Sequence, residues 1–298
     1  MGRDLAAAFA PAREVFEEVD ETLGAKLSKL MFEGPLEDLT LTENTQPALM
    51  THSMAVLRVL EREGGIKLAD RAALVAGHSL GEYTALAAAG SFTTGQAAKL
   101  LRLRGQSMQK AVAPGVGAMA ALLGAEMELA LSICAEASTG GEIVEAANDN
   151  GGGQVVISGH KAAVDRAIEI AKARGVKRAM LLPVSAPFHC ALMAPAASVM
   201  ADALGQTPPL PPVVPVVANV SAAKETDPAE ISRLLVAQVT ATVRWRESVL
   251  AMIGMGVDSF IEIGAGRVLS GLIRRIAPDA ATHSVGTPGE IEALLKTL

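Results

Sequence analysis

The stretch Ala72-Ala73-Leu74-Val75-Ala76-Gly77-His78-Ser79-Leu80-Gly81-Glu82-Tyr83 decides the fold. Residues 72–76 form a short apolar run that predicts a buried strand, and residues 80–89 are strong helix formers. The GxSxG pattern at 77–81 lies between them. A strand, a sharp glycine-flanked turn and a helix in direct succession indicate an α/β fold whose turn exposes a nucleophilic serine.

Outward from this stretch, the sequence predicts mostly helices with a few strands between them. Apolar residues at three- and four-residue intervals predict helices over 4–23 and over 46–63, with Pro47 in a first turn. A further helix is predicted over 94–112. The later elements are helices over 191–204, 228–241, 245–255 and 268–276 and strands over 213–220 and 259–263.

The pattern changes between about residues 117 and 184. Here the sequence predicts in turn a strand over 118–123, a helix over 127–136, strands over 143–147 and 154–158, a helix over 161–174 and a strand over 178–183. Asp149-Asn150-Gly151-Gly152-Gly153 predicts a hairpin turn. This order is typical of a ferredoxin-like unit. We therefore predict a small inserted domain over 116–185 and a large domain formed by 1–115 and 186–298.

Composition excludes several classes of function. The net charge of −6 at pH 7 gives no support to a nucleic-acid binder. Two distant cysteines and five scattered histidines have no metal-ligand spacing, so we expect no metal and a reducing compartment. The most apolar long stretch, 111–125, is interrupted by Pro114 and Gly115, so we expect a cytoplasmic protein without a membrane span.

Ser79 is the candidate nucleophile. A tight turn would hold its hydroxyl in an exposed position, with glycines on both sides allowing the strand and the helix to pack closely. The Leu80 N–H and the positive end of the following helix are suited to stabilising an oxyanion. The alternative is a purely structural turn, because GxSxG also occurs by chance.

Two histidines are candidates for the base that a nucleophilic serine needs. His189 lies in a loop-like segment where the chain re-enters the large domain, and loops on a rigid scaffold often carry catalytic groups. His78 is the alternative, although a direct neighbour of the nucleophile on such a turn points elsewhere. A histidine satisfied by local hydrogen bonds is the structural alternative for His189.

Arg104 lies beside Gly105 in an apolar helix pattern. There an arginine could project into a cleft and hold a carboxylate through two hydrogen bonds. The other interpretation is an ordinary solvated arginine.

Several of these motifs carry a resemblance to a known family. The chain resembles the malonyl-CoA:acyl carrier protein transacylases of fatty-acid synthesis over nearly its whole length. The segments that carry the resemblance are 78–83, 103–109, 154–159, Ala186-Pro187-Phe188-His189, Gln238 with Val243-Arg244-Trp245, and 262–269, in which Ala265 stands where the family more often has proline.

The resemblance implies an α/β-hydrolase-like large domain with a ferredoxin-like insertion. It implies that Ser79 is acylated, that His189 is its general base and that Arg104 binds the free malonyl carboxylate. Gln238 would lie near His189, where a backbone carbonyl orients the imidazole. Phe188 would crowd the α-methyl group of methylmalonyl, and His78 is counted with the substrate-binding residues.

The implied substrates are malonyl-CoA and the phosphopantetheine thiol of an acyl carrier protein, with no further cofactor and a monomeric enzyme. Acidic carrier proteins need local basic charge, and the candidate clusters are Lys172, Arg174, Lys177 and Arg178 on the insertion, and Arg274 with Arg275. Either cluster is otherwise a solvated face. A serine thioesterase and a non-catalytic carrier-protein docking module are the competing functions.

One departure from the family concerns the first residues. Family members normally have a strand and a Gly-Gln-Gly-Ser-Gln loop before a segment like Met1-Gly2-Arg3-Asp4-Leu5, and that loop normally supplies a second oxyanion N–H. A start assigned too far downstream and a truncated enzyme are the two explanations. For the present form we expect reduced stability and activity, since losing one such donor costs about 10²–10³ in rate.

Overall fold

The computed structural model describes residues 1–184 and 186–297. Ser185 and Leu298, at which two predicted domain segments end, lie outside the described residues. The helices are α1 (Arg3–Ala8), α2 (Ala10–Leu23), α3 (Leu27–Glu33), α4 (Leu36–Thr40), α5 (Thr42–Gly64), α6 (Leu68–Arg71), α7 (Leu80–Ala88), α8 (Thr94–Lys110), α9 (Met127–Ala137), α10 (Lys161–Ala173), α11 (Ala194–Gln206), α12 (Pro228–Gln238), α13 (Trp245–Gly254), α14 (Val268–Ile276) and α15 (Pro288–Leu295). The strands are β1 (Val75–Ala76), β2 (Gly117–Leu123), β3 (Val144–Asp149), β4 (Gln154–His160), β5 (Arg178–Leu181), β6 (Val216–Val217), β7 (Lys224–Glu225), β8 (Ser259–Ile263) and β9 (Ala281–Val285).

A helical core positions the strand and the helix of the GxSxG turn. Helices α2, α5 and α8 pack on one another, and α7 packs on α5 and α8. Their apolar stripes meet in one cluster, in which Val15, Val56 and Leu101 are fully buried. Burying such stripes is the main source of helix stability in a folded chain. Within residues 1–184 and 186–297, no helix has both the length and the apolarity needed to cross a bilayer.

The strands beside this core are short. β1 pairs in parallel with β6, and β7 pairs antiparallel with β6. β8 and β9 form a separate parallel pair. The carboxyl ends of β1 and β6 lie together, so the residues that follow them, the GxSxG turn and Asn219, meet at one edge.

A four-stranded antiparallel sheet occupies the middle of the chain, in the order β3-β4-β2-β5. Helices α9 and α10 pack on it and share a core of their own, with Ile133, Ile157 and Val164 fully buried. The predicted hairpin turn joins β3 to β4. The sequence pattern thus placed all six elements of this region.

Some predicted boundaries were wrong. One helix was expected over 4–23, but the chain is extended at Phe9, which separates α1 from α2. Pro11 explains the break, because its ring lacks an N–H and would clash with the carbonyl of Ala7 in a continuous helix. Pro47 lies inside α5, which begins at Thr42, so it is not in the first turn as expected.

Other elements are shorter than predicted or were missed. The strands expected over 72–76 and 213–220 contain two residues each, β1 and β6. Helices α3, α4, α6 and α15 and strands β7 and β9 were not predicted, because most are too short for a periodic pattern to emerge.

Candidate active site

The turn between β1 and α7 holds Ser79 in a strained backbone conformation. Its φ is 54° and its ψ is −111°, a region that residues with a Cβ rarely adopt. A Cβ on Gly77 would lie 2.0 Å from the carbonyl carbon and oxygen of Gly81, whereas a Cβ on Gly81 would meet nothing within 4 Å. The expectation that both glycines permit close packing is therefore correct only for Gly77.

The Ser79 hydroxyl lies against an oriented imidazole. The distance from Ser79 Oγ to His189 Nε2 is 2.7 Å, and His189 Nδ1 lies 2.8 Å from the carbonyl oxygen of Gln238. A carbonyl only accepts, so Nδ1 carries the hydrogen and Nε2 presents its lone pair to the serine hydroxyl. This chain of contacts has the geometry of a nucleophile, a base and an orienting group.

The protein holds His189 in its neutral form. The residue is 3% exposed, and its backbone has a φ of 59°. Burial, with the positive charge of Arg104, lowers the pKa of His189 to about 3, although the hydrogen bond to Gln238 opposes the shift. A neutral imidazole at working pH is the form that can accept a proton.

A buried guanidinium also reaches the serine. Arg104 is 1% exposed, and its NH2 group donates to Ser79 Oγ over 3.1 Å and to Gln238 Oε1 over 2.8 Å. Its NH1 group donates to Gln46 Oε1 over 2.7 Å, while the hydrogen on Nε has no partner among the described residues. Neutral oxygens accept all three bonds, so this cation makes no direct contact with a carboxylate in the described chain.

Close helix packing brings Arg104 to this point. A Cβ on the neighbouring Gly105 would lie 2.6 Å from Thr42 O and from Glu43 Cα, so only glycine allows α8 to approach the start of α5 so closely. The guanidinium carbon also lies 5.7 Å from the centre of the Tyr83 ring. Gly105 is thus the physical reason why an arginine at position 104 reaches Ser79.

Comparisons with known proteins place the chain in a family. The model of the acyl transferase domain family matches residues 1–286. The malonyl CoA-acyl carrier protein transacylase of Bacillus subtilis (strain 168) is 45% identical over 298 residues, covering 100% of this chain and 92% of the relative. The chain belongs to the malonyl CoA-acyl carrier protein transacylase family.

Solved structures of this family share the fold. The acyl-carrier-protein-S-malonyltransferase of Bartonella henselae is 53% identical, with a TM-score of 0.97 over 100% of this chain and 94% of that one. A malonyl-transacylase in complex with its type II PKS acyl-carrier protein is 42% identical, with a TM-score of 0.95 over 100% and 95% of the two chains. The predicted α/β class is confirmed.

Three further predicted residues of this family member lie around the serine. The Leu80 N–H, at the start of α7, has no hydrogen-bond partner within the described part of the chain. Phe188 is partly buried between the helical core and the four-stranded sheet. His78 points away from the serine, since its Nε2 lies 2.9 Å from Asn150 Oδ1 and its ring lies 5.6 Å from the Trp245 ring.

Three polar residues of the site were missed as site residues by the sequence reasoning. Asn219 accepts the Ser79 N–H through Oδ1 over 2.7 Å, and Gln46 accepts from Arg104. Glu82 is 1% exposed, and burial raises its pKa to about 7 against the opposing hydrogen bonds of Asn219 and Gln238. The available signals were a polar residue two positions after the strand at 216–217 and a glutamine on an apolar helix face.

Proposed function

We propose that this enzyme transfers a malonyl group from malonyl-CoA to the phosphopantetheine thiol of an acyl carrier protein for fatty-acid synthesis. One observation carries the proposal: a single serine hydroxyl contacts both an oriented neutral imidazole and a buried guanidinium. The imidazole activates the serine, and the guanidinium is free to pair with the carboxylate that distinguishes malonyl from simple acyl groups.

In the first step, Ser79 is acylated. His189 Nε2 takes the hydroxyl proton while Oγ attacks the thioester carbonyl, and the Leu80 N–H and the α7 N-terminus stabilise the oxyanion. When the tetrahedral intermediate collapses, the carbon–sulfur bond breaks and the CoA sulfur takes the proton from His189. The Gln238 carbonyl keeps the imidazole in the required tautomer throughout.

In the second step, the carrier-protein thiol attacks the malonyl ester. His189 takes the thiol proton, the sulfur–carbon bond forms, and Ser79 Oγ leaves with that proton. Arg104 binds the malonyl carboxylate in both steps and so orients the ester toward the thiol. The ring of Phe188 crowds an α-methyl group and thereby favours malonyl over methylmalonyl. Because His78 faces Asn150 and Trp245, any part it takes in substrate binding is on that side of the turn and not at the Ser79 hydroxyl.

We propose an α/β-hydrolase-like large domain, 1–115 with 186–298, and a ferredoxin-like insertion over 116–185. The strand order β3-β4-β2-β5 and the separate apolar core of the insertion support this division. The two steps need a nucleophile, a base and hydrogen-bond donors, so we propose that no cofactor beyond the two substrates takes part. A cytoplasmic monomer remains our prediction.

Carrier-protein docking is proposed at one of the two basic clusters, in the insertion or on α14. In the insertion, Lys172 and Arg174 are already paired with Glu169 and Glu136, whereas Lys177 and Arg178 are exposed and make no ion pair within the described residues. Arg274 and Arg275 on α14 are also exposed without an ion pair there, although Arg274 Nε donates to Thr282 Oγ1 over 2.7 Å. Surface cations without an ion pair are the better partners for an acidic protein, because they lose no existing ion pair on binding.

The test is the intact mass of the protein after mixing with malonyl-CoA, followed by holo acyl carrier protein. We expect a malonyl adduct that is absent in Ser79→Ala and that disappears when carrier protein is added, with malonyl appearing on the carrier. Release of free malonate instead would identify a thioesterase. Absence of any adduct on the parent protein would overturn the proposal.

A further inference from the structure

Glu82 lies behind the nucleophile: its backbone N–H donates to Ser79 O over 3.0 Å, while its carboxylate makes no hydrogen bond to the Ser79 hydroxyl. It belongs to the first turn of α7, and its carboxylate is enclosed between two segments that are distant in sequence. Its Oε2 accepts the backbone N–H of Asn219 over 3.0 Å and the Nε2–H of Gln238 over 2.7 Å. Burying a carboxylate costs free energy of desolvation even when two donors bind it, so the position of Glu82 needs a physical explanation.

The two amide side chains that Glu82 contacts hold the serine turn on both sides. Asn219 accepts the Ser79 N–H through Oδ1 over 2.7 Å and donates from Nδ2 to Gly77 O over 2.8 Å. Gln238 donates from Nε2 to Ser79 O over 3.0 Å. Every one of these bonds restrains the backbone that keeps Ser79 at its unfavourable φ of 54°.

The orientation of the Gln238 amide also matters for Arg104. Gln238 Oε1 accepts from the guanidinium over 2.8 Å, while Nε2 faces Glu82 and Ser79 O. In the flipped orientation, Nε2–H would face the guanidinium N–H, and Oε1 would face two acceptor oxygens. The Glu82 oxygen that faces Gln238 also accepts the Asn219 N–H, so it acts as an acceptor and excludes the flipped orientation.

We infer that Glu82 is a positioning residue, which orients Gln238 and Asn219 so that they hold the Ser79 turn and present an acceptor to Arg104. The catalytic significance of this role rests on the proposed function, whereas its test, sulfonylation of Ser79, does not require malonyl transfer. Glu82 touches neither substrate nor the reacting atoms. It acts through two amides and aligns the nucleophile with His189 before any substrate is bound.

The test compares two substitutions of similar size. Glu82→Gln keeps an acceptor oxygen for Asn219 and Gln238, whereas Glu82→Met fills the space without one. Each variant is treated with phenylmethylsulfonyl fluoride, a neutral reagent that transfers its sulfonyl group to Ser79 Oγ with loss of fluoride. Adduct formation is followed by intact mass, in parallel with malonyl-CoA. The same two substitutions at Glu128, an exposed carboxylate in the first turn of α9, serve as controls.

We expect Glu82→Met to lower the sulfonylation rate by about 100-fold, because the turn and the base are no longer aligned, and Glu82→Gln to lower it by less than about 10-fold. If the Glu82 side chain only filled space, the Gln and Met variants would react at similar rates, so a faster Gln variant supports the positioning role.

Two outcomes would overturn the inference. One is a folded Glu82→Met variant that is sulfonylated within about twofold of the parent rate. The other is equal loss in the Gln and Met variants with equally lowered melting temperatures. If the Met variant does not melt cooperatively, Glu82→Ala replaces it. If the parent protein is sulfonylated at Ser79 but forms no malonyl adduct, the result counts against the proposed function. The sulfonylation rates of the variants would still decide the role of Glu82.

Discussion

Among the described residues, Arg104 makes its hydrogen bonds with uncharged oxygens only, although it is almost fully buried. A buried cation usually has a direct anionic partner, because desolvating a charge is costly. Burial lowers the pKa of Arg104, and Tyr83 and Glu82, which oppose this shift, make no hydrogen bond to the guanidinium. We therefore propose that a substrate carboxylate supplies the missing contact and that Arg104 selects the acyl group.

The selectivity can be measured directly. We expect Arg104→Ala to lower kcat/KM for malonyl-CoA by roughly 100-fold, because a charge-assisted pair is lost, while the value for acetyl-CoA changes little. Arg102→Ala, two residues away on α8, is the matched control and should leave both values near those of the parent. An equal loss with both thioesters would show that Arg104 acts on the serine alone.

His189 makes the folded protein sensitive to acid. Its pKa is about 3 in the fold against an ordinary 6.5, so between these values the unfolded chain binds a proton that the folded chain does not. The stabilising contribution is therefore complete above pH 6.5 and is lost as the pH falls toward 3.

On acidification from about pH 7 to pH 5, the free energy of unfolding of His189→Gln should fall less than that of the parent. The difference comes from the uptake of up to one proton on unfolding, which corresponds to about 1.4 kcal/mol per pH unit. Urea denaturation at a series of pH values measures this difference. His283→Gln, at an exposed position, should follow the parent curve. Parallel curves for all three proteins would contradict the assignment of the acid sensitivity to His189.

Sequence reasoning identified the side chains that face one another at the site but not those that hold them. Ser79, His189, Arg104 and Gln238 lie in recognisable motifs, and the structure brings all four together. Gln46, Asn219 and the role of Glu82 were missed. Hydrogen bonds between residues more than 50 positions apart leave no local pattern, so only the folded chain reveals them.

At the scale of elements, the joint between β1 and α7 depends on one glycine of the motif. We expect Gly77→Ala to cost about 3 kcal/mol or more in stability and to abolish adduct formation, because its Cβ would overlap the Gly81 backbone. Gly81→Ala has open space and should stay active within a few-fold. Melting temperatures and the malonyl adduct rate of the two variants check this, and equal tolerance of both would contradict it.

Elements with a strong period were easier to predict than elements that depend on distant partners. The helices α8, α9 and α10 and the strands β2 and β4 were placed within about two residues, because their own apolar pattern specifies the buried face. β1 and β6 consist of two residues each, and β1 depends on pairing with β6, which is distant in sequence. Each strand ends where the chain turns toward the site, and no local sequence pattern marks that point.

For the whole molecule, the contact between the four-stranded sheet and the helical part includes a partly buried ion pair. Arg246 Nε lies 2.9 Å from Asp149 Oδ2, and the Asp149 side chain is only 4% exposed. Close by, the N–H of Asp149 donates to Val243 O, and His78 contacts Asn150. The β3–β4 turn is thus attached to both α13 and the serine turn.

Removing the cation should loosen this attachment. We expect Arg246→Met to lower the free energy of unfolding by about 1–3 kcal/mol, because the Asp149 carboxylate stays buried without its partner. Adding Asp149→Asn should recover part of the loss. Arg233→Met, which breaks an exposed pair with Glu230, should cost less than about 1 kcal/mol. Urea denaturation compares them, and equal costs for the two arginines would contradict the prediction.

Glu82, Asn219 and Gln238 have a consequence for how this enzyme can evolve. They come from three distant segments, and each supplies the donor or acceptor that another requires. Replacing any one of the three residues leaves a buried polar group without its hydrogen-bond partner. Related proteins can therefore exchange the three only together or through a less stable intermediate sequence. Natural variation should therefore accumulate freely on the exposed helices while this trio is inherited as a block.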